Sequence, residues 1–525
     1  MPPSHPASEP PLLLGLDVGT SALKALLIDA RGDVVADADA SYAFDTPRPL
    51  RAEQDPQAWW TGAIEAIRAL LARVPDAAER IAAVGLAGQM HGLTLVDSRG
   101  RTLRPCILWN DQRSEAECAS IERELGLEAL IRHTGNRVHA GFTLPKLLWV
   151  REHEPAVFTD IRHVLLPKDW LRWRLTGEFA TDVSDASGTS ILDVGARRWS
   201  DEIVACAGID AAWLPAVHES CEVVGAIHRD AAEATGLRAG TPVVAGAGDQ
   251  AASAIGMGIV DDGQVSVTIG TSGVVFAARD AHRPDTDARL HAFCHAAPGR
   301  WHQMGVMLSA GGSLRWFRDV VAPDTVDEAR RRGVDAYDVI MERAATAPAG
   351  CDGLTFLPYL TGERTPHADA HARGAFVGLT LRHTSAHLAR AVLEGITFGL
   401  RDSLDLVRAT GVEPVLLTLA GGGARGAFWR QLCADVLGRP VVAAGVADAG
   451  ALGAARLAAV GANLHATIVD ACRAMSSAGG ANPPGEATAR TNPSPSDELA
   501  EALERYRSLY PALAPSFRPP PHMVK

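Results

Sequence analysis

The sequence predicts an α/β chain made of two related domains. Three observations carry this. At 525 residues the chain exceeds what a single hydrophobic core ordinarily supports, and 47% apolar residues suffice for two. Apolar runs of strand length alternate with stretches of helical period. The pattern strand, Gly-Thr-Ser, strand occurs twice, at Gly19–Ser21 and at Gly270–Ser272, half a chain apart.

Residues 1–11 are Pro/Ser-rich and read as a disordered lead-in, neither signal peptide nor membrane anchor. Leu12 to Asp17 is an expected buried strand, and Leu23 to Ile28 returns from Gly19-Thr20-Ser21 to a turn at Arg31-Gly32-Asp33. Asp55-Pro56 starts a helix whose apolar positions are Trp60, Ile64, Ile67 and Leu71. Ile81 to Leu86 is a strand leading into Gly88-Gln89-Met90-His91-Gly92. The second half opens alike, with a strand from Val243 to Gly248, then Asp249, then strands from Gln264 to Ile269 and from Val274 to Ala277. Leu388, Val392, Ile396, Leu400 and Leu404 mark a long core-facing helix. Val415 to Ala420 is a strand, followed by Gly421-Gly422-Gly423 and a helix through Phe428, Leu432 and Val436. Residues 476–497 form an expected flexible loop before a last helix from Glu498 to Leu509 within a terminal segment 498–525. The domains expected from this order are 12–257 and 258–475.

The formal net charge is −12, and no dense Lys/Arg run appears, which argues against a nucleic-acid or membrane-surface role. An anionic substrate would have to be drawn by local amides, a metal ion and a few cations. The eight cysteines include no C-x-x-C pair or zinc-type spacing, so free thiols in a reducing, cytoplasmic compartment are expected.

Two glycine-hydroxyl loops, Gly19-Thr20-Ser21 and Gly270-Thr271-Ser272, could grip one polyphosphate from both sides; each could also be a plain hairpin turn. Asp17, at a strand end, suits Mg²⁺. Asp249 emerges at the rim of a sheet, where it could serve as a general base or as a helix N-cap. Met90, His91 and Trp109 can bond or stack on a sugar, although a lone His or Trp is more often structural. Gly421 to Gly426 matches G-x-G-x-x-G between a strand and a helix, with Asp448 22 residues beyond Gly426. That fingerprint opens a rival reading as a nicotinamide-dependent polyol dehydrogenase. A non-catalytic sugar sensor or actin-like structural protein is a third.

Four segments, Asp17 to Lys24, Gly88 to Gly92, Ile107 to Arg113 and Gly362 to His367, resemble the FGGY carbohydrate kinases, and within them the xylulokinase group. Two longer patterns, Gly141 to His153 and Gly374 to Glu394, resemble the family as well, and the similarity runs from about Leu13 to Leu457. The resemblance implies an α/β fold of two RNase-H-like, actin/hexokinase-type domains flanking a cleft, with sugar on the first domain and Mg·ATP on the second. It implies that Asp249 is the catalytic base and Asp17 the essential aspartate near Mg²⁺. Met90, His91, Trp109 and Gln250 would contact the sugar. Gly19, Thr20, Ser21, Lys24, Gly270, Thr271, Ser272, Gly422, Gly423 and Ala424 would contact ATP. Gln89-Met90-His91 points to a ketopentose, D-xylulose, with ribulose, L-xylulose or a polyol as alternatives. Gln250 stands where many members have Asn, and its extra methylene moves the amide by about one bond length. The expected partners are a small sugar and ATP, with a homodimer left open.

Overall fold

The computed structural model describes residues 10–446, 448–475 and 490–518. Most of the expected lead-in, residues 476–489 of the expected loop, and residues 519–525 lie outside the described residues.

Seven strands make the first sheet: β1 (Leu12–Val18), β2 (Ala22–Asp29), β3 (Val34–Ser41), β4 (Ile81–Gly88), β5 (Val223–Ala226), β6 (Pro242–Val244) and β7 (Ala247–Gly248). Their order is β5-β6-β4-β1-β2-β3, with β7 continuing beside β4. β1, β2 and β3 form an antiparallel meander, whereas β4 runs parallel to β1 and to both β6 and β7. The second sheet holds β8 (Val265–Ile269), β9 (Gly273–Arg279), β10 (His291–Cys294), β11 (Trp301–Met307), β12 (Leu417–Ala420) and β13 (Val441–Ala443), in the order β10-β11-β9-β8-β12-β13. Again a hairpin, β8–β9, is extended by an antiparallel strand on one side and by parallel strands on the other. The two Gly-Thr-Ser segments therefore occupy the same hairpin turn in two sheets of like topology.

The helices that frame these sheets are α1 (Pro56–Arg73), α2 (Thr143–His153), α3 (Asp249–Gly256), α4 (Ser385–Ala409), α5 (Ala427–Leu437), α6 (Ala449–Gly461) and α7 (Asp497–Phe517). Asp55 caps α1 by accepting from the Gln57 N–H, and Pro56 sits at the first helical position, where its missing donor costs nothing. The buried stripe of α1 is Trp59, Trp60, Ala63, Ala66, Ile67 and Leu70. It is rotated from the expected one because two alanines, weak signals in a periodicity, carry close packing. The long α4 is buried along Val392, Ile396, Leu400 and Leu404 as expected.

Two elements depart from expectation. The strand expected from Val243 to Gly248 breaks into β6 and β7 at Gly246, which adopts φ +84° and where a Cβ would lie 2.4 Å from Leu86 O. The terminal helix continues past Leu509 through Pro511 and Pro515. Tyr510 anchors that stretch by stacking on His367 at 3.5 Å and donating to Asp369 at 2.8 Å, contacts a local propensity does not contain.

α6 comes from the second half of the chain yet lies across the first sheet. Its Leu452, Ala455, Ala458 and Ala459 share a buried cluster with Leu13, Leu26, Ile28 and Ala83. The approach is backbone to backbone: a Cβ at Gly15 would stand 1.9 Å from Ala451 O, and one at Gly85 1.9 Å from Ala454 O. Because neither neighbour is a movable side chain, Gly85→Ala should destabilise the protein by about 3 kcal/mol or more. Urea denaturation checks this, and an unchanged midpoint would remove the contact from the account.

Candidate functional site

Three parallel strands end side by side in the first sheet. Val18 of β1 pairs with Gly88 of β4, and Gly88 pairs with Gly248 of β7. The residues next in line are therefore brought to one rim: Asp17 with the Gly19–Ser21 turn, Gln89-Met90-His91, and Asp249. Ligands of α/β sheets bind at such carboxyl ends.

Asp17 is partly buried, and its Oδ1 has no hydrogen-bond partner. Burial, with a smaller push from Asp448, holds its carboxyl up at about 6, against the pull of Lys24. Asp448 stands at the N-cap position of α6 without a side-chain capping bond and ion-pairs with Lys24 on β2. Gly450, in the first turn of α6, lets that helix end reach Asp17: a Cβ there would lie 2.3 Å from Asp17 Oδ2. The positive end of the helix dipole thus faces the carboxylate. Lys24, expected on ATP phosphates, is held here by Asp448.

In the adjacent turn, the Thr20 hydroxyl donates to Gln89 Oε1 (3.1 Å) and accepts from Trp109 Nε1 (3.0 Å). Gln89 in turn donates to Gln54, which bonds Thr20 O and Ala43 O and accepts from Trp59 Nε1. The turn is thereby fixed by side chains, while the backbone N–H groups of Thr20 and Ser21 donate to no protein acceptor among the described residues. Trp109 remains 41% exposed, too open for a core residue.

His91 adopts φ +70°. Its ring stacks on Phe142 at 4.4 Å, and Nδ1 lies 2.6 Å from Gly188 O. A carbonyl can only accept, so Nδ1 carries the hydrogen and Nε2 offers a lone pair. Burial pushes its pKa down to about 3, so the imidazole is neutral at physiological pH. Glycines clear the space around the pair: a Cβ at Gly188 would lie 2.5 Å from His91 Nδ1, and one at Gly248 2.9 Å from Met90 Cγ. Met90 therefore packs directly against the residue preceding Asp249. Below them, buried Lys146 of α2 donates to His91 O (2.9 Å), Ile107 O (3.0 Å) and Leu108 O (3.1 Å), and Thr143 also donates to His91 O. Lys146 and Gly188 were not expected as site residues. Lys146 lies in a motif that was read, but nothing in the sequence says which carbonyls its ammonium reaches.

Asp249 is the first residue of α3, whose N-cap is Gly248 and carries no side-chain cap. Its carboxylate is thus free of the capping duty that was the competing reading. Burial, reinforced by the charge of Asp17, raises its pKa to about 7, against the amides of Gln250.

In the second sheet, Thr268 pairs with Ala420, so Gly270-Thr271-Ser272 and Gly421-Gly422-Gly423 emerge side by side. The first loop is buttressed from behind, since Ala310 N–H and Gly312 N–H donate to Thr271 O, and Gly311 N–H to Gly270 O. The N–H groups of Thr271 and Ser272 donate to no protein acceptor among the described residues. Gly421 (φ +80°) and Gly423 pack on Ile269, whereas a Cβ at Gly422 would meet nothing within 4 Å. In this short 3₁₀ turn Gly422 therefore faces open space, while Gly423 and Ala424 are buried beneath it. No hydrogen bond among the described residues joins the two Gly-Thr-Ser loops to each other.

The dehydrogenase reading fails on topology. Its fingerprint belongs to a mostly parallel sheet, whereas here only β8, β12 and β13 run parallel while β9, β11 and β10 are antiparallel, and the acidic residue the fingerprint needs, Asp448, is engaged by Lys24.

Comparisons with known proteins identify the family. The N-terminal domain model of the FGGY family of carbohydrate kinases matches residues 12–256, and its C-terminal domain model matches residues 265–462. The chain is 44% identical over 460 residues to a xylulose kinase of Escherichia coli K12, spanning 87% of this chain and 92% of that one. It is 31% identical to a gluconokinase of Bacillus subtilis, over 95% of this chain and 94% of that one. Among solved structures, a "xyloylose kinase" from Brucella ovis matches at 42% identity with a TM-score of 0.85, covering 96% of this chain and 100% of that one.

Replacing Lys146 by Met would take a donor from three carbonyls that each keep another, His91 O from Thr143, Ile107 O from the Leu93 N–H and Leu108 O from the Asp111 N–H, so stability should fall by only about 1 kcal/mol. The sugar KM should rise as His91 loses its support. Thermal unfolding and initial rates check both, and an unaltered KM would separate Lys146 from the site.

Proposed function

The chain belongs to the FGGY family of carbohydrate kinases, and from that premise we propose that it transfers the γ-phosphoryl group of ATP to D-xylulose, with Asp249 as general base and D-xylulose 5-phosphate and ADP as products. The observation that carries this reading is the Asp249 carboxylate, uncapped, raised to about 7, and set beside Met90 and His91.

The sugar's terminal hydroxyl gives its proton to Asp249 as its oxygen bonds to the γ-phosphorus. The bond from that phosphorus to the β,γ-bridging oxygen breaks, and ADP leaves with that oxygen. Positioning and charge stabilisation are the protein's main tasks in such a transfer. The free N–H groups of Thr20, Ser21, Thr271 and Ser272 cradle phosphate oxygens, Gly422, Gly423 and Ala424 floor the adenosine, and the neutral His91 accepts a sugar hydroxyl at Nε2. Trp109 and Gln250 border the sugar. Lys24 balances Asp448 and Asp17. Asp17, with an orphaned buried oxygen and a raised pKa, fits Mg²⁺, which prefers oxygen donors. When bound, Mg²⁺ offsets the charge of the phosphates. Eight free cysteines, five of them buried, suit the reducing cytoplasm. No helix of the described residues is long and apolar enough to cross a membrane.

The direct test is ADP release from Mg·ATP with D-xylulose, D-ribulose, L-ribulose, L-xylulose, glycerol and gluconate. D-xylulose should give the highest kcat/KM, and a clear preference for gluconate or a polyol would contradict the assignment.

Asp249→Ala should lower kcat by at least ~10²-fold in a folded protein, and near-normal turnover would sink the base. In the wild type, kcat/KM should rise with pH through about 7, the value to which Asp249 is raised. Stability follows the opposite sign. An Asp ionises near 3.9 when unfolded, so between about 4 and 7 the native state holds a proton that the unfolded state has lost. That contribution to stability is present below pH 4 and is lost as pH rises through the folded value. Asp249→Asn lacks this loss, so its Tm relative to the wild type should climb from pH 4 to pH 8, as calorimetry can show.

A further inference from the structure

Arg364 reaches the site from the second domain without an acidic partner. Its backbone is pinned: Thr365 N–H donates to Val306 O at 3.0 Å, and Glu363 Oε1 accepts from Leu308 N–H (2.9 Å) and from Arg364 N–H (2.7 Å). Glu363 is thus turned to the main chain. Burial raises its carboxyl to about 8, leaving it largely neutral. The Arg364 guanidinium makes one long contact, Nη1 to His291 Nε2 at 3.4 Å, and no ion pair among the described residues. Burial lowers its pKa, as expected of a cation without a counter-charge.

Neutral rings surround it. His91 stacks on Phe142, His139 meets Phe142 edge-on at 5.2 Å, and His291 stacks on Phe293 at 5.5 Å. Burial first, with the charge of Arg364 adding, holds all three imidazoles uncharged. The two domains meet here, since His91 and His139 precede α3 while His291 and Arg364 follow it. Arg364 contacts His291, whose ring lies 5.8 Å from the Phe142 ring that stacks on His91, so the guanidinium belongs to the ring cluster that His91 shares.

A guanidinium offers five donors, and this half-buried one leaves nearly all of them without a protein acceptor among the described residues. A ligand with several oxygen acceptors would satisfy them. An acceptor sugar whose terminal hydroxyl sits at Asp249 and whose middle lies along Met90 and His91 places its far end there. We propose that Arg364 is a specificity-determining residue for the acceptor, its guanidinium hydrogen-bonding the oxygens at the end of the sugar remote from the phosphorylated hydroxyl, the ketone oxygen among them. This rests on Asp249 being the base, which fixes the near end.

The test uses Arg364→Met and Arg364→Lys in the full chain. Arg364→Met should raise the D-xylulose KM by at least ~10-fold, the low end for a lost charged hydrogen bond, with the ATP KM within about two-fold. Arg364→Lys should recover part of the loss. Tm should stay level or rise in Arg364→Met, because the removed charge had no partner. An unchanged sugar KM, equal losses for sugar and ATP, or a protein that unfolds would each overturn the proposal. Calorimetric binding of D-xylulose to Asp249→Asn, with and without Arg364→Met, separates the two readings. Normal turnover by Asp249→Asn would refute the base alone, whereas undiminished sugar binding in the double variant would refute Arg364 alone.

Discussion

Everything at the site hangs on the close packing of α6. That helix lies on β1 and β4 through Gly15 and Gly85, and on α3 through Gly256 and Gly453, where a Cβ would fall 2.0 Å from Ala449 O and 1.8 Å from Ala252 O. β1 carries Asp17, β4 leads to Met90 and His91, and α3 begins with Asp249. One helix from the second half of the chain thus sets the spacing among all three. Interiors are packed densely enough that such backbone contacts tolerate no added atom. An alternation of strands and helices could be preserved while this contact was lost, and the site would lose its geometry.

The electrostatics follow from the same contact. Asp17, Asp249 and Asp448 converge with Lys24 as the cation among them, and burial holds both Asp17 and Asp249 above the ordinary carboxylate range. Three acids beside a polyanionic substrate would repel it, all the more in a chain of net charge −12. Partial charges offset this: the start of α6 faces Asp17, and the open N–H groups of two hairpin turns lie at the carboxyl rims of their sheets. A metal ion at Asp17 would serve the same end. Because the helix start and the N–H groups belong to the main chain, they would need little rearrangement as charge moves in the proposed transfer.

Much of this was legible in the sequence, and the rest was not for identifiable reasons. The repeated Gly-Thr-Ser turns could be read because a hairpin is local, with its strands and turn contiguous. Asp17 and Asp249 could be named because each stands at the end of an apolar strand, whereas Met90 and His91 were named through the family resemblance. That they share one rim depends on Val18, Gly88 and Gly248 standing in register, a fact of pairing rather than of pattern. α6 was opaque because Ala449-Gly-Ala-Leu-Gly-Ala-Ala has no strong period; its small residues encode proximity to a partner far away in the chain. Asp448 was misleading, since its distance from Gly426 fits a dinucleotide site while its actual partner is Lys24. The carbonyls held by Lys146 and the isolation of Arg364 depend on side-chain reach, which no motif records.

The most direct measurement is a crystal structure of the protein with D-xylulose and a non-hydrolysable ATP analogue. The account requires the terminal sugar hydroxyl within hydrogen-bonding distance of Asp249, and the triphosphate between the Gly19–Ser21 and Gly270–Ser272 turns. A nucleotide whose phosphates lie away from both turns, or a sugar whose hydroxyls all avoid Asp249, would contradict it.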